Sequence, residues 1–224
     1  MSENLRPTVM KFGGTSVQDA EAFQRVAEIV KGEKENSPVV VTSAMSKVTD
    51  ALLNAFELAK RDEPQKALES LQPHFERHIE VAKKLLGAEA QARFFDELEK
   101  SKNELAEILQ RVSRRSLPLQ LLKDVVVAYG EQLSSRLLTE VCKAQGLNAR
   151  HADSRRLIMT DDEHGAANPL WNETEKIIQL ELHSLINSGE IPVMGGFIAA
   201  SRSGETTTLG RGGSDYSAAL VGAA

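Results

Sequence analysis

The order of apolar and polar residues over the first 45 positions predicts a strand, a helix and a second strand. An apolar-rich run at residues 8–12 ends at two glycines, and apolar residues then recur at helical spacing through residues 23–30. Ser16 and Asp19 are three positions apart and resemble a capping box in which Asp replaces Glu, so that Ser16 would cap the helix. The continuous valine run at residues 39–41 is typical of a parallel strand that is buried on both faces.

The middle of the chain has the apolar spacing of helices. Residues 48–61 are amphipathic, and residues 64–116 are rich in charge and carry two separate apolar stripes. The two stripes predict a helical hairpin that packs onto a larger body, and Pro73 is expected to kink its first helix. A third long helix is expected at residues 119–145, because Gly146 follows as a typical helix-ending residue.

Short strands alternate with helices in the last third of the chain. The pattern predicts strands at residues 148–153, 157–160, 191–200 and 206–209, and helices at residues 171–188 and from Ser214 onward. The strand at residues 191–200 is expected to continue through Gly195 and Gly196 as one element. Strands that alternate with helices indicate an α/β protein.

Composition and charge narrow the class of protein. The chain has 224 residues, with 27 Lys and Arg against 32 Asp and Glu, and the formal charge of −5 argues against a general nucleic-acid binder. Cys142 is the only cysteine, which excludes an intrachain disulfide and a cysteine-based zinc site. His74 and His78 lie four positions apart, but Glu76 does not complete a His-Glu-x-x-His motif, so we expect a solvated helical face. Because Met1–Pro7 is polar and no apolar run reaches about 18 residues, we expect a soluble cytoplasmic protein without a membrane partner.

The first candidate site is the glycine turn that follows the first strand. Lys11 lies near the end of the strand, and Gly13, Gly14 and Thr15 follow it. Backbone N–H groups at a glycine-rich turn before a helix can bind an anion, and Lys11 can add a point charge toward phosphate. A tight turn beside a surface lysine explains the same residues. The turn is not a P-loop, since Gly-x-x-x-x-Gly-Lys-Ser/Thr occurs nowhere in the sequence.

The second candidate site is another glycine turn, at residues 209–215. Arg211 lies among glycines, where its guanidinium can bind a carboxylate through two hydrogen bonds. Ser214 and Asp215 suit the first turn of a helix, so a capped helix after a flexible loop is the alternative interpretation. Two anion-type turns at strand ends predict one site that is built from both.

Two further segments are weaker candidates. Residues 42–45, with Thr49 close behind, place small hydroxyl side chains at the end of the valine strand, although N-capping accounts for them equally well. Gly130 precedes Glu131 in an apolar helical stretch, where a glycine costs about 1 kcal/mol relative to alanine. A ligand, a close neighbour or ordinary helix packing would explain that glycine.

These segments together resemble the signatures of aspartate kinases, which belong to the amino-acid kinase family. Lys11–Val17 is similar to the opening signature, and Thr207–Tyr216, preceded by Gly196–Ile198, is similar to the second. The shorter matching segments, in the expected order, are Ser43-Ala44 with Thr49 and Tyr129–Glu131. The resemblance covers essentially the whole chain.

The resemblance implies a fold and an activity. The fold would be carbamate-kinase-like, a three-layer α/β/α sandwich with a mainly parallel sheet. Residues 1–224 would form the amino-terminal portion of the kinase domain, with residues 64–116 as a helical insertion. The reaction would transfer the γ-phosphoryl group of ATP, with Mg²⁺, to the side-chain carboxylate of L-aspartate. The product, 4-phospho-L-aspartate, is the first intermediate toward lysine, threonine and methionine, and the full-length protein would be a homo-oligomer.

The resemblance also implies roles for individual residues. Lys11 and Asp215 would act in catalysis, with Asp215 orienting Lys11. The residues that would hold the nucleotide phosphates are Lys11, Gly13, Gly14, Thr15, Gly212 and Gly213. The residues that would hold aspartate are Ser43, Thr49, Glu131, Phe197, Arg211 and Ser214. Among these, Arg211 would bind the α-carboxylate and Glu131 the ammonium group.

The sequence departs from the family pattern after Tyr216. The family continues with a Thr/Ser-Asp-Val-x-Gly segment, then Asp-Pro-Arg and later Lys-Val/Ile-Leu-His-Pro, which hold the adenine, the ribose and the outer phosphates; none of them occurs here. We therefore expect residues 1–224 alone to release ADP at or near the background rate in a coupled assay. We also expect this chain to self-associate or to carry a loosely ordered helix from Ser214 onward. The alternatives are a non-catalytic fragment that binds aspartate or phosphate weakly, and another amino-acid kinase.

Overall fold

The computed structural model describes residues 7–224, so nearly all of the polar segment Met1–Pro7 lies outside the described residues. The helices are α1 (Ala20–Gly32), α2 (Val48–Lys60), α3 (Pro64–Ser70), α4 (Gln72–Leu85), α5 (Ala88–Arg114), α6 (Leu119–Ala144), α7 (Trp171–Asn187) and α8 (Gly213–Ala223). The strands are β1 (Val9–Phe12), β2 (Val39–Thr42), β3 (Ala149–Ala152), β4 (Met159–Thr160), β5 (Ile191–Gly195), β6 (Ile198–Ser201) and β7 (Thr206–Thr208).

The larger sheet is parallel and lies between two layers of helices. Its strand order is β1-β2-β5-β3, and every neighbouring pair runs parallel. Val40 belongs to a core shared with α1 and α6, whereas Val39 and Val41 belong to a core shared with α7 and α8. The valine run is continuous because both faces of the sheet are covered. The predicted three-layer arrangement with a mainly parallel sheet is confirmed.

A smaller sheet follows in the chain, and its formation corrects one prediction. The single strand predicted over residues 191–200 is wrong, because β5 ends at Gly195 and β6 begins at Ile198 in the other sheet. Between them Phe197 has a φ of 68°, a left-handed conformation that bulky residues rarely adopt. This turn moves the chain from one sheet to the other, where β6 pairs with β4 in parallel and with β7 in antiparallel orientation. The return strand predicted at residues 206–209 is confirmed as β7.

The start of α1 corrects a second prediction. Asp19 itself is the N-cap, since its carboxylate accepts a hydrogen bond from the Ala22 N–H at 2.9 Å. Residues Gly14–Val17 form a short 3-10 helix before it. The capping box that placed Ser16 at the cap is therefore wrong, because the 3-10 turn takes up that position.

The charge-rich segment at residues 64–116 forms three helices, α3, α4 and α5, where the apolar stripes predicted a hairpin of two. The helical structure is interrupted after α3 ends at Ser70. Pro73 lies in the first turn of α4, where its missing N–H costs no helical hydrogen bond. A new helix thus begins where a kink was predicted. Buried residues that join these helices to the core of α1, α2 and α6 include Leu71, Phe75, Phe94, Leu98 and Leu105.

His78 is fully buried, so the solvated face predicted for it is wrong. Its Nδ1 lies 2.7 Å from the carbonyl oxygen of His74, one turn earlier on α4. Burial lowers the pKa of His78 to about 4, so the ring is neutral near pH 7 and Nδ1 can donate to that carbonyl. The histidine is covered because α4 packs against α1 and α6.

The last helix, α8, begins within one residue of the predicted start at Ser214. Its Leu220 and Val221 are buried in the core beside β1 and β2. Order of this helix in solution and self-association of the chain stay predictions. Among residues 7–224, no helix is both long and apolar enough to cross a membrane.

Candidate active site

The carboxyl ends of three neighbouring parallel strands meet at one edge of the larger sheet. Ser43, just after β2, donates its N–H to the carbonyl of Phe12 in β1 at 3.0 Å, and Gly196, just after β5, donates to the carbonyl of Thr42 at 2.8 Å. Open α/β sheets bind ligands at such edges. A cavity of about 430 Å³ opens here, and it is lined by Lys11, Gly14, Ser43–Lys47, Thr49, Asp50, Glu131, Phe197 and Gly210–Asp215.

Three turns border this cavity: the first glycine turn (Gly13–Gln18), the Ser43 loop (Ser43–Lys47) and the Arg211 turn (Gly210–Gly213). Each carries a candidate site predicted from the sequence, and the structure brings all three together. Of the predicted site residues, Gly13 and Thr15 do not line the cavity. Their contact with phosphate stays a prediction.

Lys11 and Asp215 form an ion pair at the cavity. The distance from Lys11 Nζ to Asp215 Oδ1 is 2.7 Å, and the two side chains come from β1 and α8. The Lys11 side chain is 28% exposed and that of Asp215 is 74% exposed, so the pair is accessible to a ligand. An ammonium group held in this way is placed to meet an anionic group that enters the cavity.

The first glycine turn and the Ser43 loop are bonded to each other. The Ser46 N–H donates to the carbonyl of Gly14 at 3.0 Å. A Cβ atom at Gly14 would lie 2.9 Å from the carbonyl oxygen of Ala44, closer than real Cβ atoms approach. Glycine is therefore required at position 14 for the two turns to meet.

Glu131 supplies a buried carboxylate to the cavity. Its Oε1 accepts a hydrogen bond from the Ala44 N–H at 3.1 Å, while Oε2 has no hydrogen-bond partner within residues 7–224. Burial raises the pKa of Glu131 to about 8, and the hydrogen bond from Ala44 opposes that rise. A buried carboxylate with one free oxygen is suited to bind a cation that brings N–H donors, such as an ammonium group.

The Arg211 turn presents a guanidinium to the same cavity. Gly210 and Gly212 have φ values of 72° and 75°, left-handed conformations that glycine adopts readily. Arg211 between them is exposed, and no carboxylate in the described part of the chain forms an ion pair with it. Its planar fork is free to take both oxygens of a ligand carboxylate.

The turn between the two sheets fixes the start of α8. A Cβ atom at Gly196 would lie 2.7 Å from the Cα atom of Ser214, and the Phe197 N–H donates to Ser217 Oγ at 2.9 Å. Ser214 and Asp215 are therefore held against this turn, and both line the cavity.

Lys47 and Asp50 also line the cavity, although neither is among the residues predicted from the sequence. Lys47 has a φ of 69°, and nothing in the sequence marks a lysine for that conformation. Lys47 lies between the predicted site residues Ser43 and Thr49, and Asp50 directly follows Thr49. This closeness along the chain is the one signal that points to them. The cationic side chains of the lining are then Lys11, Lys47 and Arg211.

Gly130 packs so closely against the Ser43 loop that alanine does not fit. A Cβ atom there would lie 2.8 Å from the Cβ atom of Ala44. We expect Gly130→Ala to lower the free energy of unfolding by about 1–3 kcal/mol, because overpacking forces neighbouring groups apart. The matched control is Gly32→Ala in α1, where a Cβ atom meets nothing within 4 Å, and it should be neutral or up to about 1 kcal/mol more stable. Urea unfolding of both variants measures the difference, and equal stabilities would contradict this close packing.

Comparison with known proteins identifies relatives over nearly the whole chain. The model of the amino acid kinase family matches residues 6–224. The bifunctional aspartokinase/homoserine dehydrogenase 2, chloroplastic, of Zea mays is 35% identical over 216 residues, which cover 96% of this chain and 23% of that protein. The aspartokinase of Chlamydia muridarum is 34% identical over 227 residues, which cover 98% of this chain and 46% of that protein.

A solved structure is similar over the same extent. The crystal structure of E. coli aspartokinase III in complex with aspartate and ADP superposes with a TM-score of 0.85 at 30% sequence identity, covering 96% of this chain and 46% of that chain. The chain therefore spans between about a quarter and about half of the length of the relatives it matches.

Proposed function

The chain belongs to the amino acid kinase family, and we propose that its cavity binds L-aspartate, whose side-chain carboxylate receives the γ-phosphoryl group of ATP. The observation that carries this proposal is the presence of two complementary groups at one cavity. Within residues 7–224, Glu131 offers a buried carboxylate oxygen without a hydrogen-bond partner, and Arg211 offers a guanidinium without an ion-pair partner. An α-amino acid has an ammonium and a carboxylate on one carbon, so these two groups together recognise it.

The remaining lining residues complete a site for the rest of the amino acid. The hydroxyl groups of Ser43, Thr49 and Ser214 can hydrogen-bond to its carboxylates, and Phe197 covers one side of the cavity. With the α-carboxylate on Arg211 and the ammonium on Glu131, the side-chain carboxylate extends toward Lys11. The aspartate in the solved E. coli aspartokinase III complex supports the choice of this amino acid.

The phosphoryl transfer requires charge neutralisation more than proton transfer. A side-chain carboxylate with a pKa of about 3.9 is already ionised at pH 7, so no general base is needed. The barrier comes from bringing this anion against the phosphoryl group, and Lys11 lowers it by placing an ammonium between them. Asp215 orients that ammonium through the 2.7 Å ion pair. The carboxylate oxygen forms the new bond to phosphorus while the bond to the ADP oxygen breaks, which gives 4-phospho-L-aspartate, an early intermediate toward lysine, threonine and methionine.

The glycine turns supply the groups for the nucleotide. Lys11 and the backbone N–H groups of Gly14 and Gly212 would hold phosphate oxygens, and Gly13 and Thr15 would assist from the first glycine turn. The Gly213 N–H, also expected to contact phosphate, donates instead to the carbonyl of Gly210 at 3.0 Å. The ADP in the E. coli aspartokinase III complex supports a nucleotide at this edge. Mg²⁺ would enter with ATP and neutralise phosphate charge, since it is usually held by one or two carboxylates and the phosphates themselves. Asp50 and Asp215 are exposed carboxylates of the lining that would approach it.

Two further proposals concern the location of the protein in the cell and its oligomeric state. We propose a cytoplasmic protein, because its single cysteine fits a reducing compartment, although the plant relatives carry chloroplastic names. We also propose a homo-oligomer for the full-length protein, the commonest form of assembly. Static light scattering would measure it, and a strict monomer would contradict it. None of the observations favours another amino-acid kinase or a non-catalytic scaffold over this function.

A panel of ligands separates these possibilities. Calorimetric titrations of the chain with L-aspartate, L-glutamate, L-asparagine and N-acetyl-L-glutamate should show binding of L-aspartate and much weaker binding of the other three. L-asparagine tests the side-chain charge, and N-acetyl-L-glutamate tests the free ammonium that Glu131 requires. Tighter binding of another member of the panel would assign a different kinase. Any acyl phosphate formed with ATP can be trapped by hydroxylamine as the hydroxamate of the acceptor.

A further inference from the structure

One arginine on the helical layer bonds to two of the turns that border the cavity. Arg77 lies on α4, and its guanidinium is half-buried between two of the turns that border the cavity. Nη1 donates to the carbonyl of Ser46 in the Ser43 loop at 2.9 Å, and Nη2 donates to the carbonyl of Gln18 in the first glycine turn at 2.8 Å. Both acceptors are main-chain groups, so the arginine holds the backbone of the two turns.

The first glycine turn and the Ser43 loop must keep a fixed separation, because both border the cavity. The Ser46 N–H already donates to the carbonyl of Gly14 on the cavity side. Lys47, the residue after Ser46, is in the left-handed region, which costs free energy and persists only where the surroundings hold it. Arg77 therefore joins the same two turns from outside the cavity, in addition to the hydrogen bond between Ser46 and Gly14 on the cavity side.

The position of Arg77 is itself well fixed. Its neighbour His78 is fully buried, and Phe75 and Val81 on the same helix are buried in the core. Nη1 also lies 3.5 Å from Nδ1 of His74, and burial, with the charge of Arg77, lowers the pKa of His74, so its ring is neutral near pH 7. The guanidinium thus faces two carbonyls and a neutral imidazole and is anchored by a packed helix.

We propose that Arg77 is a positioning residue that sets the spacing between the first glycine turn and the Ser43 loop and so couples the helical layer of α3–α5 to substrate binding. The inference rests on the proposed function, because its effect on binding presupposes that the cavity takes aspartate. A charge-assisted fork to two main-chain carbonyls cannot be copied by lysine, which reaches one of them.

The test compares Arg77→Met and Arg77→Lys with Arg93→Met. Arg93 also lies in the helical layer, but within residues 7–224 its guanidinium bonds to the side chains of Glu89 and Glu140 and to neither of the two turns. We expect the L-aspartate affinity to fall about five- to thirtyfold in Arg77→Met, less in Arg77→Lys, and not in Arg93→Met. Amide hydrogen exchange should be faster in residues 13–18 and 43–47 of Arg77→Met alone.

The outcomes separate this inference from the proposed function. If Arg77→Met only lowers the melting temperature, with wild-type aspartate affinity and wild-type exchange in both turns, Arg77 is structural and the inference is wrong. If the unmodified chain binds no L-aspartate, the proposed function fails. Amide hydrogen exchange then tests by itself whether Arg77 positions the two turns, since this measurement needs no ligand.

Discussion

Replacing Arg211 by lysine in the full-length protein is expected to weaken L-aspartate binding by tens- to thousandsfold and to leave the affinity for ADP nearly unchanged. The planar guanidinium can take both oxygens of the α-carboxylate, whereas a lysine ammonium offers a single point charge. Loss of one partner of a desolvated, hydrogen-bonded charge pair costs about 2–5 kcal/mol of complex stability, which corresponds to that range of affinities. Calorimetric titration of the variant with each ligand measures both effects.

A nearby arginine gives the matched control for this substitution. Arg202 lies in the turn between β6 and β7, pairs with Glu173 and does not line the cavity. Arg202→Lys in the full-length protein should therefore bind L-aspartate as the unmodified full-length protein does. If Arg211→Lys loses affinity for ADP and keeps it for L-aspartate, Arg211 is a phosphate ligand and the assignment is wrong.

Replacing Glu131 by glutamine is expected to weaken L-aspartate binding at pH 8 by about thirtyfold or more. Glutamine keeps an oxygen to accept from the Ala44 N–H but has no charge for the ammonium group. In the free chain the pKa of Glu131 is raised to about 8, so at pH 7 the side chain must release a proton when the ammonium arrives. Affinity for L-aspartate should then fall up to about tenfold for each pH unit below about 8, and this dependence should vanish in Glu131→Gln.

The same titration has an opposite consequence for stability. Because the folded pKa of Glu131 lies above the value of 4.5 for an unperturbed glutamate, the buried acid contributes stability that is fully present below that value. This contribution is lost as the pH rises toward about 8. The unliganded Glu131→Gln chain should therefore unfold at a higher temperature than the unmodified chain at pH 8.5 and at a similar temperature at pH 4.5.

Calorimetry in two buffers checks the proton release directly. At pH 7 the heat of L-aspartate binding should differ between HEPES and Tris, whose ionisation enthalpies differ, and Glu131→Gln should remove that difference. The control is Glu97→Gln, which removes the charge of a carboxylate on α5 that pairs with Arg136. This variant should behave like the unmodified chain. A buffer-independent heat for the unmodified chain would show that Glu131 does not change its protonation.

The sequence pattern was sufficient where one short segment determines its own structure. The valine run at residues 39–41 predicted a buried parallel strand, and the glycine turns around Gly14 and Arg211 predicted sites that the fold brings to one cavity. It failed where a residue adopts a conformation that its type disfavours. Phe197, with its positive φ, splits one predicted strand into β5 and β6, and Lys47 enters the cavity lining for the same kind of reason.

The pattern of apolar and polar residues also could not predict burial by other elements or contacts between distant segments. His78 looks solvated in its own helix, and it is buried because α1 and α6 cover α4. Arg77 bonds to backbone groups that are 31 and 59 positions away, and no local spacing marks such a contact. The free oxygen of Glu131 likewise becomes visible only when the Ser43 loop is placed beside α6.

The most direct test of the account is a crystal structure of this chain with bound L-aspartate. The ligand should lie in the cavity at the carboxyl ends of β1, β2 and β5. Its α-carboxylate should lie on the Arg211 guanidinium, its ammonium within hydrogen-bond distance of Glu131 Oε2, and its side-chain carboxylate toward Lys11 Nζ. An empty cavity at saturating L-aspartate, or a ligand whose side-chain carboxylate lies on Arg211 and whose α-carboxylate faces Lys11, would contradict it.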